Sequence, residues 1–268
     1  MTSSSPFPIS VLSIPGLPNG VFPLDSTLYH NYKPSLGVIS KVVTEKKGPI
    51  SVFFQSYIWP REVRHPLGNW TRFLPLLCVP IYYYAYLWSS KFRTAILKGA
   101  ATKLEACLKT GDTVFLILHS HGNRIGIDAI LELHRKNKIP RSKKIYVISL
   151  APAYSHVGYG LIRNSLSQKT IEEFVAATSG VLMFRVASDP LSGKPPLPQT
   201  DGKIQGKPFA FRLFSPRFFE YGLWGHETVR WRKDVMEEME KLLGEILKGG
   251  LKKRRKGKVT SLRSSTAL

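Results

Sequence analysis

Residues Phe115 to Arg124, FLILHSHGNR, decide how this chain reads. The apolar run Val114 to Leu118 is bounded by Gly111-Asp112 before it and by polar residues after it, which predicts a strand buried on both faces of a parallel sheet. The run breaks at His119-Ser120-His121-Gly122. A helical pattern follows at once, with Ile127, Ile130, Leu131 and His134 on one face, continuing to Asn137 with a stop at Pro140. A sharp turn between strand and helix raises the central Ser120 above the sheet edge. It also aims the first amides of the helix at any negative charge that develops beside that serine.

This layout resembles the nucleophile elbow of the α/β-hydrolase superfamily, in which small-x-Ser-x-Gly sits between strand and helix. Ser120 matches the nucleophile and Gly122 the second small position. Leu118 stands where a glycine is usual, so its side chain needs room against the neighbouring strand or helix. The rest of the chain extends the resemblance. Ile145 to Leu150 reads as a buried strand ended by Ala151-Pro152, and Val181 to Ala187 as another, ended by Ser188-Asp189-Pro190-Leu191. Trp224-Gly225-His226-Glu227 opens a long amphipathic helix from Glu227 to about Lys248, with Val235, Met239, Leu242 and Ile246 buried and Gly249-Gly250 as its stop. Ser120, Asp189 and His226 follow the family's chain order, each just past a strand end or at a helix start, where open parallel sheets form their sites.

The resemblance implies a serine hydrolase of the esterase or lipase kind, cleaving a carboxylic ester through an acyl-enzyme, with a lipid ester among the substrates. A serine hydroxyl is a poor nucleophile at neutral pH and needs an adjacent base. His226 would take its proton and later return it to the leaving group. Asp189 would fix the imidazole tautomer and stabilise its charged form. Asp201, in Gln-Thr-Asp-Gly, is the reserve candidate for the acid. Ile9 to Ile14 reads as a short strand followed by Pro15-Gly16-Leu17-Pro18, which resembles the family's oxyanion loop. The backbone amides of Leu17 and His121 would then form the oxyanion hole. No cofactor and no metal is implied.

Further strands and helices alternate around the elbow. Ser35 to Lys46 carries Val38, Ile39, Val42 and Val43 as a short amphipathic helix, and Ile50 to Ile58 is the next strand. Ser89 or Ser90 caps a helix with Phe92, Ile96, Ala100, Leu104 and Cys107 along one face. A helix at about Thr170 to Thr178 carries Ile171, Phe174 and Val175, the segment Leu191 to Lys207 reads as a mobile loop, and Phe209 to Phe214 as the last strand. The alternation predicts an α/β fold, α/β-hydrolase-like, with a mostly parallel sheet and helices on both faces. One domain over 1–250 is expected, followed by a basic, disordered tail at 251–268. The insert 59–88 interrupts it before the elbow. Its Phe73 to Trp88 segment, FLPLLCVPIYYYAYLW, has sixteen residues, no charge and six aromatics. That is short of the roughly 20 residues of a membrane span and holds Pro75 and Pro80. It reads as a lid over the site or as a membrane-facing anchor.

Composition bounds the partners. The net charge is +21, from 39 Lys+Arg against 18 Asp+Glu, which attracts anionic surfaces. Lys252 to Lys258, KKRRKGK, concentrates part of it and would suit an anionic membrane more readily than nucleic acid. The first ten residues lack a basic region and an apolar core, so no ordinary signal peptide is read. The expected location is cytoplasmic or peripheral to a membrane, with non-classical export left open. Cys78 and Cys107 have no motif spacing.

Two other classes compete. His119-Ser-His121 is also similar to the H-x-H-x-D-H turn of the metallo-β-lactamase fold, but Asn123 and Arg124 occupy the Asp and next His positions. An arginine cannot ligate zinc. The other reading is a hydrolase-like scaffold without activity that binds membranes or partners through its basic surface.

Overall fold

The computed structural model describes residues 6–16, 25–58, 85–86, 89–152, 167–189, 201–217 and 223–249, without the side chains of 25–31, 168, 223–224 and 226. Seven strands form one sheet: β1 (Phe7–Ile14), β2 (Ile50–Ser56), β3 (Thr113–His119), β4 (Lys144–Leu150), β5 (Gly180–Val186), β6 (Gly202–Ile204) and β7 (Lys207–Phe214). Their order is β2-β1-β3-β4-β5-β7-β6, parallel throughout except for the antiparallel β6-β7 pair. The helices are α1 (Asp25–Lys47), α2 (Ser90–Thr110), α3 (Gly122–Arg135), α4 (Gln168–Ala176), α5 (Leu223–Thr228) and α6 (Lys233–Leu247).

Alternation along the strands divides the core in two. Leu12, Ile14, Leu116, Leu118 and Val147 pack with α2, α3 and α4 on one face. Ile9, Val11, Phe115, Ile117 and Ile148 pack with α1 and α6 on the other. The chain leaves β1 towards β2 by α1, then returns across β1 by α2 to reach β3. The winding direction therefore reverses between β1 and β3. In such sheets a crevice opens at that switch point, outside the carboxyl ends of the two strands. Ile14-Pro15-Gly16 and His119-Ser120 stand there.

Most expected elements appear within one or two residues of their predicted bounds. Ser89 is the cap of α2, its hydroxyl accepting from the Phe92 amide at 3.2 Å. Four expectations are corrected. The helix expected from Ser35 begins at Asp25 and carries Pro34 inside it. His134 lies exposed, not on the buried face of α3, where Leu133 and Ala129 stand with Ile130. The expected loop up to Lys207 contains a hairpin, since β6 pairs with β7 around Gln205 and Gly206, both at positive φ (48° and 77°). The single C-terminal helix is two, broken at 229–232. The tail beyond 249 and the insert, save Ala85 and Tyr86, lie outside the described residues. No helix among the described residues is long and apolar enough to cross a membrane.

Candidate active site

Ser120 follows β3 with φ at 53°, the left-handed region that non-glycine residues seldom occupy. Holding it there costs of order 1–3 kcal/mol, which the surroundings must over-determine. They do. The Ser120 amide donates to the Leu150 carbonyl at 3.1 Å, and the Asn123 amide donates back to the Ser120 carbonyl at 3.1 Å. The fully buried Asn123 side chain completes the turn: Nδ2 donates to the carbonyls of Ser120 (3.0 Å) and Leu150 (3.1 Å), and Oδ1 accepts from the Ser149 hydroxyl at 2.6 Å. Asn123 thus ties the elbow to β4. Its only sequence signal is its place three residues after the serine, where it was weighed as a failed metal ligand. Ala151, after the neighbouring β4, is also left-handed (φ 42°), so backbone strain gathers at this sheet edge.

Two glycines let β1 reach the elbow. A Cβ on Gly122 would stand 2.0 Å from the Ile14 carbonyl oxygen and 2.7 Å from that of Pro15. A Cβ on Gly16 would stand 2.5 Å from the Ser120 Cβ and 3.0 Å from its Oγ. The backbone just past β1 therefore lies directly against the serine side chain, which keeps 7 % of its surface. His121 is the cap of α3 (φ −61°, ψ −25°), so its amide stands at the positive end of that helix. Leu17, the other proposed oxyanion donor, lies outside the described residues.

Leu118, the departure from the elbow pattern, finds its room on α3. A Cβ on Gly126 would come within 2.5 Å of a Leu118 methyl. The bulk missing from the helix has been moved to the strand. The end of the aromatic insert also reaches the elbow. Tyr86 is fully buried and meets the His121 ring edge-on at 5.1 Å. Its hydroxyl donates to Asp128 at 2.7 Å, and the same carboxylate accepts from Arg124 Nε at 3.0 Å. Burial first, and then the Asp128 charge, hold the Tyr86 phenol well above its ordinary range.

Asp189 is buried just past β5, two strands along the edge from Ser120. The half-buried Arg185 guanidinium donates to its carbonyl oxygen at 3.4 Å. Desolvation lowers the Arg185 pKa, and the Asp189 charge opposes that shift. Asp201, the reserve acid, is committed elsewhere. Its carboxylate forms a two-pronged pair with Arg212, including Nη2 to Oδ2 at 2.8 Å, beside the β6-β7 ladder.

His226 lies within α5, past the end of β7, on the same sheet edge; its side chain is outside the described residues. Two buried arginines brace the segment that carries it. Arg230 pairs with Glu227, next to His226, and faces the buried Tyr32 of α1, whose phenol burial pushes up. Arg232 donates from Nη1 to the Ser215 carbonyl at 3.0 Å and from Nε to Asp234 at 2.9 Å, closing the base of the excursion. Neither arginine carries a local sequence signal that sets it apart from the other basic residues. The structure therefore brings the backbones carrying Ser120, Asp189 and His226, with Gly16, Gly122 and His121, to one edge of the sheet. Among the described residues no cluster of three or more His, Cys, Asp or Glu side chains is placed to share a metal ion.

No protein-family model and no curated protein matches the sequence. Solved structures that the chain is similar to include an acetyl ester-xyloside bifunctional hydrolase from Caldicellulosiruptor lactoaceticus: 15% identity, 92% of this chain and 86% of that one covered, TM-score 0.45. A hyperthermophilic esterase from Pyrobaculum calidifontis shares 11% identity over 91% of this chain and 77% of its own, with TM-score 0.42. Carboxyl esterase 2 of Tuber melanosporum shares 14% over 88% and 76%, also with TM-score 0.42. Nothing about the activity of this chain follows from likenesses at that level. The architecture itself, a parallel sheet wound from a switch point with a strained serine elbow beside it, is α/β-hydrolase-like.

Proposed function

We propose that this chain is a serine hydrolase cleaving a carboxylic ester through an acyl-enzyme. The observation that carries the reading is the left-handed Ser120 at the switch point, with the Gly16 backbone held against its side chain. In this reading Ser120 Oγ attacks the ester carbonyl while His226 accepts the hydroxyl proton, and Asp189 keeps the imidazole oriented and its charged form stable. The oxyanion is held by the His121 amide at the head of α3 and by an amide from the loop after Gly16, that of Leu17. His226 returns the proton to the departing alcohol. Water, activated by the same histidine, then releases the acid and restores the serine.

Tyr86 marks the substrate side of the site. The uncharged, aromatic segment Phe73 to Trp88 carries near its end Tyr86, which packs against His121, next to the nucleophile. An apolar segment anchored at that place suits the acyl chain of an ester, a lipid ester included. The test is labelling with a fluorophosphonate probe, followed by a screen of p-nitrophenyl esters of rising chain length. The reading expects the wild type to label, Ser120→Ala to lose both labelling and turnover, and the melting temperature to hold. An unlabelled, folded wild type would refute it and leave a hydrolase-like scaffold that binds rather than cleaves.

A further inference from the structure

The sheet edge opposite the candidate active site collects lysines. α1 and α6 both end there, and β1, β3 and β4 begin there. Between them lies a groove of about 220 Å³, lined by Phe7, Lys46, Lys47, Asp112, Lys144 and Tyr146 among others. Phe115 and Tyr146 stack at its floor with ring centroids 5.5 Å apart. Lys47 Nζ stands 5.8 Å from the centre of the Phe7 ring on its wall. Lys143 adds a cation, paired with Asp112 at 2.8 Å. Lys248, just past α6, adds another. Desolvation and then the Lys248 ammonium hold the Lys46 amine below its ordinary value, with Glu45 opposing. Five lysines thus meet two carboxylates, Asp112 and Glu45.

Helix dipoles favour a cation at the ends of α1 and α6. They do not account for Lys143 and Lys144 at a strand start. Like charges brought together around a groove are relieved by an anion between them. The charge also continues along the chain, since the run Lys252 to Lys258 begins four residues after Lys248.

We propose that this edge is a docking surface for the anionic phospholipid headgroups of a membrane, with the groove taking a headgroup phosphate. Its size suits one such group. Nucleic acid would be met by a track of cations following the phosphate backbone. The apolar neighbours favour a membrane as well. β2 opens by pairing Ile50 with Phe7 of the groove wall; Val52, on the same face as Ile50, is 39 % exposed, and Phe53, on the other face of this edge strand, is 37 % exposed. Exposed aliphatic and aromatic side chains flanked by lysines match the interfacial zone of a bilayer. Strands of seven residues separate this edge from Ser120 by roughly 20 Å. A molecule held by these lysines turns its candidate active site towards water.

The experiment is flotation of the full chain with vesicles of phosphatidylcholine, or of equal parts phosphatidylcholine and phosphatidylserine. The expected result is binding only to the second kind, weakening as salt is raised. Replacing Lys46, Lys47 and Lys144 by Gln, with the tail intact, should weaken that binding by roughly a hundredfold. A control with Lys91, Lys98 and Lys169 replaced by Gln loses the same charge from exposed positions of α2 and α4 and should lose far less. Equal loss in both variants would show a response to total charge and overturn the proposal. So would wild-type affinity in the groove variant combined with lost binding on removal of residues 251–268, which would assign the attraction to the tail. Binding to duplex DNA or RNA with indifference to phosphatidylserine would overturn it too, as would inorganic phosphate at millimolar concentration displacing the protein as fully as high salt does through ionic strength alone. These outcomes do not depend on whether Ser120 reacts.

Discussion

Replacing Gly122 by alanine sets two opposite expectations against each other. Gly122 is the first residue of α3 and its φ is ordinary, so helix propensity alone makes the substitution stabilising by up to about 1 kcal/mol. The tertiary structure predicts the reverse. The added methyl would stand 2.0 Å from the Ile14 oxygen, 2.7 Å from the Ile14 carbonyl carbon and 2.7 Å from the Pro15 oxygen. All three are backbone atoms at the end of a central strand, so no rotamer change relieves the overlap. To regain an ordinary contact of at least 3.0 Å, the backbones must part by about 1 Å. Overpacking of that kind costs about 1–3 kcal/mol or more, which outweighs the propensity gain. A net loss of about 2 kcal/mol lowers the melting temperature by roughly 4–8 °C in a chain of this size. Because Gly16 continues the displaced segment against Ser120, fluorophosphonate labelling should slow by about 10²-fold, the effect of a misplacement near 1 Å. Gly244→Ala is the control. It lies inside α6 with nothing within 4 Å of its added Cβ, and it should raise the melting temperature slightly. Calorimetry of both variants decides. A Gly122→Ala protein as stable as the wild type, labelling at the wild-type rate, would refute the close approach of β1 to the elbow.

Asn123→Ala removes three hydrogen bonds from the buried turn and should destabilise by about 1–3 kcal/mol, with kcat falling more than KM changes; intact kcat would deny Asn123 any part in positioning Ser120. Asp189→Asn should cut turnover by about 10³–10⁴ with little effect on melting. Asp201→Asn should do the opposite, sparing turnover and lowering stability by about 1–3 kcal/mol by weakening the Arg212 pair, and a reversed pattern would exchange their roles. Burial raises the Cys107 thiol from 9.0 to about 12 and raises the phenols of Tyr86 and Tyr146 above 10.0. Groups whose folded values are raised contribute stability that is complete below their unfolded values and is lost as pH rises towards the folded ones. The urea midpoint should therefore fall between about pH 9 and about pH 12, and a flat midpoint across that window would contradict the burial of these groups.

The fold was legible wherever one element carried its own pattern. An unbroken apolar run predicts a doubly covered strand because both faces of β3 meet core, and β4 and β5 follow for the same reason. The hairpin of β6 and β7 escaped because its first strand has three residues, too few for any period, and its turn is Gln-Gly rather than Asn-Gly. The break between α5 and α6 escaped because Val229 is apolar and the helical pattern runs through it. What ends the helix there is the pull of Arg230 and Arg232 into buried pairs with Glu227, Asp234 and the Ser215 carbonyl. His134 was misplaced for a milder reason. The face of α3 is set by what it packs on, and Leu133 fills that place.

Residue types, their order and their places at strand ends are local properties, and the sequence alone determined them: a parallel α/β chain, a serine in a strand-to-helix turn, and an acid and a histidine after later strands. Contacts between distant positions are not local, and only the tertiary structure decided them. Gly16 touches Ser120 across 104 residues, Leu118 takes the space that Gly126 leaves, and Asp201 is claimed by Arg212. The physical reason is excluded volume and pairing. Which atoms compete for one space, and which charge claims which partner, are settled only when the sheet has closed and each strand has its neighbours.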